Sequence, residues 1–263
     1  MKHVTTHFFR LFSFELLAIF LSLINFKLSD MLSLKTLFQS AAHLFYPHIC
    51  TGCGTDILKE NDLLCLHCIH ELPHTEFEKY PNNPIERIFF GRLKTVAAHA
   101  GFYFSKGELM QTLIHDFKYK GNKEIGIYLS KVVAEKMMQS NRFNNIDYLI
   151  PLPLYAEKEY KRGFNQAKII CDGMADVMNV PVLDKNVIRI HFTETQTKKH
   201  RTERWENVAE SFKVLYPEQL INKHVLLVDD VITTGATLEA CAQKIITIEG
   251  IKISIATLTT ASK

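Results

Sequence analysis

Two adjacent carboxylates and several hydroxyl-bearing residues stand together in the segment 224–239. An apolar run ends at Asp229 and Asp230, and the residues 233–237 follow directly before a helical pattern. In an open α/β sheet, ligands bind at the carboxyl ends of strands, where such a loop must lie. Hydroxyls and backbone N–H groups at a helix start suit a phosphate, and carboxylates suit sugar hydroxyls. The residues predicted to bind a phosphorylated ribose are Asp229, Asp230, Thr233, Thr234, Gly235, Ala236 and Thr237.

Neither of the common nucleotide-binding patterns, G-x-x-x-x-G-K-[ST] and G-x-G-x-x-G, occurs in the chain. The loop is therefore predicted to bind phosphate by a different arrangement. The alternative is a threonine-capped helix that follows a strand ending in aspartates and binds nothing.

Four of the six cysteines form two Cys-x-x-Cys pairs: Cys50, Cys53, Cys65 and Cys68. Each pair can place two thiolates on one turn, and two such turns complete a tetrahedral sulfur shell around zinc. The alternative is a pair of disulfides, which requires an oxidising compartment. Cys171 and Cys241 fall within helical patterns and are predicted to be small buried apolar residues.

Hydrophobic periodicity predicts the elements that position these groups. Helices are predicted at 31–45, 107–117, 124–138, 163–178 and 236–248. Strands are predicted at 96–104, 146–150, 187–190, 224–228 and 251–258, with a loop at 229–235. Residues 71–84 contain three prolines and are interpreted as a linker. The alternation of strands and helices predicts an α/β fold with a parallel sheet and helices on both faces.

The composition is that of an ordinary soluble protein. Of 263 residues, 47% are hydrophobic and 22% charged, and 31 basic against 28 acidic side chains give +3. This balance argues neither for nor against nucleic acid. The apolar run 8–26 is short for a membrane span and contains Glu15, so no integral span is expected. A mis-assigned start before Met31, a peripheral helix and a signal peptide remain alternatives for residues 1–30. Thiolate zinc ligands favour the cytoplasm, with attachment to the membrane surface as an alternative.

Taken together, these motifs resemble the ComF family, the competence-associated proteins similar to type I phosphoribosyltransferases. The similarity begins near residue 31 and extends to the C-terminus. It rests on the four paired cysteines, 115–121 (H-D-F-K-Y-K-G), 151–154 (P-L-P-L), 162–166 (R-G-F-N-Q), Gln196 with Arg201, and the loop after Asp230. No catalytic residue is identified by the similarity.

The resemblance implies a site for phosphoribosyl diphosphate (PRPP) with Mg²⁺. In the family, the two acidic residues hold the ribose 2′- and 3′-hydroxyls, and the loop holds the 5′-phosphate. Purine-salvage members usually have an acidic residue at the position of Thr233, so its absence disfavours a hypoxanthine or guanine substrate. The resemblance also implies a role in bringing single-stranded DNA into the cytoplasm, beside a helicase-like competence protein.

A diphosphate site is also implied by the resemblance. The loop after the strand 146–150 stands where the family binds diphosphate, and the polar segment 193–207 stands where the family has a mobile hood. The candidate residues are Pro151, Leu152, Pro153, Arg162, Lys198 and Arg201. The alternatives are a solvated helix face for Arg162 and its basic neighbours, and an ordinary surface loop for the polar segment.

The sequence thus predicts three parts: an extension and helix at 1–46, a four-cysteine zinc module at 47–70, and a phosphoribosyltransferase-like domain at 85–263. The favoured function is a PRPP-binding protein of DNA uptake and natural competence. The alternative is an active phosphoribosyltransferase of nucleotide metabolism, similar to the amidophosphoribosyltransferases. The sequence leaves open whether any transfer is catalysed.

Overall fold

The central sheet is built from strands that are apolar on both sides. In the strand His224–Ile232, Val225 and Leu227 face one side and Leu226 and Val228 face the other, and all four are buried. Because successive side chains of a strand point to opposite faces, both faces of a sheet built from such strands must be packed against other elements. In the computed structural model, which describes residues 48–56, 58–59, 62–105, 108–190 and 211–261, helices cover it on both sides.

The described residues form six strands and seven α-helices. The strands are β1 (Ala98–Phe104), β2 (Tyr148–Pro151), β3 (Val187–Arg189), β4 (Phe212–Val214), β5 (His224–Ile232) and β6 (Lys252–Ala261). The helices are α1 (Leu66–His70), α2 (Pro84–Phe89), α3 (Leu109–Tyr119), α4 (Lys123–Met138), α5 (Ala156–Arg162), α6 (Gln166–Met178) and α7 (Ala236–Ile245). Short 3₁₀ turns lie at Phe77–Lys79, Asn141–Phe143 and Pro217–Leu220.

Four strands form a parallel sheet in the order β1–β6–β5–β2. Its two faces are covered by different helices. Side chains of α3, α4 and α6 pack with Leu226 and Val228, whereas side chains of α2 and α7 pack with Val225 and Leu227. The predicted α/β fold, a parallel sheet with helices on both faces, is confirmed.

Two predicted boundaries differ from the structure at the sheet. The strand predicted at 187–190 exists as β3, but it pairs antiparallel with β4 outside the main sheet. The loop predicted at 229–235 begins later, because β5 continues to Ile232. The neighbouring β6 is long enough to supply backbone partners past the apolar part of β5, and it pairs with β5 as far as Ile232 opposite Thr260.

The interpretation of residues 71–84 as a linker is wrong. Phe77 and Asn83 of this segment are buried. The Asn83 side-chain amide donates to the carbonyls of Phe77 at 3.0 Å and Ala98 at 2.9 Å, and its oxygen accepts from the N–H of Ile85 at the start of α2. Prolines and asparagines mark a cap and two turns here, so the segment is packed against β1 rather than free.

Candidate functional site

The strand β5 carries two carboxylates near its carboxyl end, and they differ in their surroundings. Asp229 accepts a hydrogen bond at Oδ1 from the backbone N–H of Asp230, at 2.8 Å. Asp230 is fixed through its backbone carbonyl, which accepts from the Thr259 hydroxyl on β6 at 3.3 Å. The backbone of the two residues is therefore held on one side by β6, which stays paired with β5 as far as Ile232.

The loop after these carboxylates is shaped by Gly235. Its φ of +72° is left-handed, which glycine adopts at little cost, and it directly precedes the first residue of α7. A Cβ at this position would lie 2.7 Å from Cγ2 of Ile88 on α2, so the loop also approaches that helix closely. The exposed Thr233 and Thr234 and the partly exposed Thr237 line a shallow concavity of about 50 Å³ at the start of α7. Hydroxyls and helix N–H groups together suit an anion.

Electrostatics make the carboxylate pair unusual. Burial of the Asp229 carboxyl group, together with the nearby negative charge of Asp230, raises the pKa of Asp229 to about 8, although the residue as a whole is partly exposed. The Lys118 ammonium on α3 lies 2.7 Å from Oδ2 of Asp230. Lys118 and Arg189 are the two cations whose charges lower the pKa of Asp229 against these effects. Groups with displaced pKa values in a cleft are candidates for binding or catalysis.

The loop after β2 lies beside β5. The backbone N–H of Leu152 donates to the carbonyl of Val228 at 2.8 Å, and the Asn165 side-chain amide donates to the carbonyl of Leu152 at 3.1 Å. The second helix after β2, α6, packs mainly on one face of the sheet, and α7, the helix after β5, packs on the other. A crevice opens between the ends of two strands whose helices diverge in this way. We call it the carboxylate crevice, formed by Asp229, Asp230, the loop 233–237 and the facing loop 151–153.

The diphosphate candidates occupy three different situations. Pro151 and Pro153 line a cleft of about 200 Å³ beside the crevice, and Leu152 is buried beneath it. Arg162 is partly exposed at the end of α5 and donates to Oε1 of Gln166 at 2.8 Å. Lys198 and Arg201 lie outside the described residues.

Lys118 and Arg189 are neighbours of Asp229 and Asp230 that the sequence did not assign to this site. Lys118 belongs to the segment 115–121, but it is 112 positions from Asp230, and no local pattern joins them. Arg189 lines the same cleft as Pro151, and its guanidinium lies 4.0 Å from the centre of the Tyr155 ring. An isolated arginine after a short strand gives no signal of such a role.

The four paired cysteines converge. Their sulfur atoms lie within 4.8 Å of one another, and those of Cys53 and Cys65 are 3.7 Å apart. Tetrahedral zinc with Zn–S bonds of about 2.3 Å separates its sulfurs by about 3.8 Å, whereas a disulfide requires about 2.05 Å. All four thiols are unbonded to each other. This cysteine cluster is compatible with a metal site.

Backbone N–H groups in the cysteine cluster stabilise the thiolate form of Cys50. Burial disfavours the Cys50 thiolate, but backbone N–H groups of Cys53, Cys65 and Gly52 outweigh it and lower the pKa of Cys50 to about 6. The Cys65 N–H donates to the Cys50 sulfur at 3.3 Å. A thiolate is the form that binds metal, so this arrangement fits the predicted ligand set.

The remaining cysteines are buried, and the two histidines near the cluster are exposed. Cys171 and Cys241 are fully buried among apolar residues, as predicted. His67 and His70 are exposed. The cluster itself packs against the body of the protein, because Cys50, Leu64 and Cys68 share an apolar core with α3.

The chain is similar in sequence to several known proteins, over a part that includes β5. The family described as the phosphoribosyl transferase domain matches residues 161–263, which include β5 and its loop. The "DNA utilization protein YhgH" of Salmonella typhi is 27% identical over 137 residues, covering 51% of this chain and 60% of that protein. The "Competence protein F" of Haemophilus influenzae is 26% identical over 200 residues, covering 74% and 83%. The "Competence protein ComFC" of Bacillus subtilis is 29% identical over 145 residues, covering 53% and 55%. The match thus spans three fifths of the Salmonella protein's length.

Proposed function

We propose that this chain is a protein of the ComF type, which binds PRPP in the carboxylate crevice and acts on single-stranded DNA during DNA uptake. The observation that carries the proposal is the placing of two carboxylates and an anion-binding loop on one strand end, beside the loop 151–153. The relatives' names, which refer to DNA utilisation and competence, support this role over nucleotide metabolism.

In the proposed complex, Asp229 and Asp230 accept hydrogen bonds from the ribose 2′- and 3′-hydroxyls. The loop 233–237 surrounds the 5′-phosphate, and the proline loop 151–153 lies against the diphosphate. Arg162, Lys198 and Arg201 add positive charge, and Mg²⁺ bound with PRPP neutralises part of the diphosphate. We assign no catalytic base, and transfer of the ribosyl group is not required by the proposal.

Ligand-dependent stability tests this site. PRPP with Mg²⁺ is expected to stabilise the protein by about 2.7 kcal/mol when its concentration is a hundred times Kd. The double variant Asp229→Asn, Asp230→Asn is expected to lose this shift while remaining folded, because Val225–Val228 are unchanged. Thermal unfolding with and without millimolar PRPP measures both.

A matched control removes two carboxylates elsewhere. Asp172 and Asp176 on α6 pair with Lys168 and Lys131 at the surface. The variant Asp172→Asn, Asp176→Asn makes the same two replacements away from the crevice and is expected to keep the full PRPP shift. A wild-type melting curve that does not move with PRPP would overturn the proposal.

The cysteine cluster is proposed to bind one structural zinc ion. Cys50, Cys53, Cys65 and Cys68 would be its ligands, and the ion would join the two Cys-x-x-Cys turns. The lowered pKa of Cys50 and the sulfur spacing support this assignment. A reduced cluster also supports a cytoplasmic location. No helix among the described residues is long and apolar enough to cross a membrane.

The proposed DNA surface lies near the crevice. The chain contains three basic segments, 118–123, 158–168 and 198–204, each with an aromatic side chain in or beside it, and the third lies outside the described residues. Tyr119 is 67% exposed and Tyr160 is 89% exposed, so both can accept stacked bases. Phe164 cannot, because it is buried against Phe117. The Lys118 charge is already engaged by Asp230.

A stacking variant tests the DNA surface. Tyr160→Ala is expected to weaken binding of an oligo(dT) strand, because base stacking on an aromatic ring contributes about 1–3 kcal/mol. Fluorescence anisotropy at low salt measures the affinity, which is expected to fall steeply as salt increases. Phe90→Ala removes another exposed ring, outside the basic segments, and serves as the control. Equal losses for both variants, or no binding by the wild type, would contradict this part of the proposal.

A further inference from the structure

Lys118 reaches the carboxylate crevice from a firmly held backbone. The buried side chains that anchor α3 are Met110, Leu113, Ile114 and Phe117. Lys118 follows Phe117 in the last turn, and its side chain is only 17% exposed. A lysine presented in this way has little freedom to leave Asp230, unlike an ordinary surface lysine.

One oxygen of each carboxylate in the pair is engaged by a protein group. Oδ1 of Asp229 accepts from the backbone N–H of Asp230, and Oδ2 of Asp230 is paired with Lys118 at 2.7 Å. The remaining oxygen of each carboxylate has no partner among the described residues. Two vicinal hydroxyls of a ribose need two acceptors, and one oxygen from each residue supplies them.

We infer that Lys118 is a positioning residue of the carboxylate crevice, which holds Asp230 and favours the charged form of the pair, in which both aspartates can accept from the ribose hydroxyls. This inference rests on the proposed binding of PRPP and adds to it a residue on a different element. Lys118 acts through Asp230 and need not touch the ligand.

The need for such a residue follows from the charges that face the pair. Asp229 and Asp230 repel each other as anions, and their adjacency disfavours ionisation of both. Against this, β3 contributes Arg189 and α3 contributes Lys118, and both favour the charged form of Asp229. Only Lys118 is in direct contact with a carboxylate oxygen among the described residues. Its loss is therefore expected to let the pair retain a proton to higher pH.

Three variants test the inference, with the full-length protein in reducing buffer. Lys118→Gln removes the charge, and Lys118→Arg preserves it. Lys120→Gln removes a charge two residues away, where Lys120 pairs with Asp116 at 2.8 Å on the surface. The Kd of PRPP with Mg²⁺ is measured by calorimetry between pH 6.5 and 9.5 for each protein.

Wild-type affinity is expected to increase as pH rises toward the pKa of about 8 that Asp229 has in the free protein. In Lys118→Gln, the midpoint of this increase should move up by about one pH unit, because a neighbouring cation lowers a carboxyl pKa by that order. Below the midpoint, the Kd should be about tenfold higher than in the wild type. Lys118→Arg and Lys120→Gln should keep the wild-type midpoint.

The outcomes separate the inference from the proposed function. If the wild type fails to bind PRPP, the proposed function fails and the inference with it. If the wild type binds and Lys118→Gln matches its midpoint, the inference alone is overturned, even where the affinity is uniformly lower. A uniform loss without a shift would mark Lys118 as a structural residue. An equal shift in Lys120→Gln would show diffuse charge, which also overturns the inference.

Discussion

The cysteine cluster and the carboxylate crevice affect their ionisable groups by different means. In the cluster, backbone N–H groups lower the pKa of Cys50 and favour its anion, whereas burial and the neighbouring cysteines raise the pKa of Cys68. In the crevice, burial and a like charge raise the pKa of Asp229 and disfavour its anion. The first arrangement is compatible with a bound metal ion. The second is incomplete until a ligand supplies hydrogen-bond donors to the carboxylates, which is what a binding site requires.

The two regions also differ in how far their parts lie apart in the chain. The four cysteines fall within nineteen residues, 50–68, on two local turns. The crevice takes Lys118 from α3, the proline loop from β2, and its carboxylates from β5. The cluster therefore depends on local backbone geometry, and the crevice depends on the whole fold. The following changes test that difference.

The largest effect is expected at the cysteine cluster. Cys53→Ser should abolish stoichiometric metal binding, since structural zinc contributes apparent binding free energies on the order of 10 kcal/mol at pH 7. Because Leu64 and Cys68 share a core with α3, the unfolding temperature of the main body should also fall. Elemental analysis and thermal unfolding measure the two effects. Cys171→Ala, which changes a buried thiol outside the cluster, should retain the metal. Metal-free wild-type protein with oxidised thiols, purified in reducing buffer, would exclude the zinc assignment.

A smaller effect is expected at the crevice loop. Gly235→Ala should destabilise the protein by about 3–4 kcal/mol, because a Cβ there meets Ile88 and Phe89, and overpacking of about 1–3 kcal/mol adds to backbone strain of about 1–2 kcal/mol. It should also weaken PRPP binding. Gly91 has a similar φ of +73° but no atom within 4 Å of an added Cβ. Gly91→Ala should therefore cost only the backbone strain, about 1–2 kcal/mol, and leave the Kd of PRPP unchanged. Urea denaturation and calorimetry compare them; identical behaviour would show that contact with α2 does not shape the loop.

The smallest effect concerns pH. Asp229 in the folded protein holds a proton to about pH 8, whereas an unfolded aspartate loses it near pH 3.9. The folded state thus binds more protons between these values, and stability falls as pH rises through this window. Asp229→Asn should match the wild type near pH 4 and be the more stable protein at pH 9.

Asp147 serves for comparison, because its pKa is lowered and its effect on stability has the opposite pH dependence. A hydrogen bond from the His224 backbone N–H, and then Lys223, lower the pKa of Asp147. Its contribution is present above the unfolded pKa and is lost as pH falls through the folded value. Asp147→Asn should therefore be destabilising at pH 7 and lose that difference in acid. Urea midpoints at several pH values measure both variants, and a destabilised Asp229→Asn at pH 9 would contradict the assignment.

The sequence predicts well what is local. The two Cys-x-x-Cys turns, the strand ending in Asp229 and the burial of Cys171 all follow from spacing and periodicity. The contact of Lys118 with Asp230 does not, because it depends on how α3 is placed against β5. The antiparallel pairing of β3 is also a tertiary result, since the pattern of three residues fits either direction. Asn83 caps the start of α2, but asparagine is also common in unpacked loops, so the residue type alone does not predict the packed segment.

One helix beside the crevice, α5, buries none of its side chains. None of the seven residues of α5, Ala156–Arg162, is buried, yet the helix is fixed at its end by Gly163 in the left-handed conformation. Substitutions at such positions usually change stability by less than about 0.5 kcal/mol. This stretch can therefore vary during evolution almost without cost to folding. Residues 156–161 can therefore change with a different binding partner while Arg162 and the neighbouring crevice are kept.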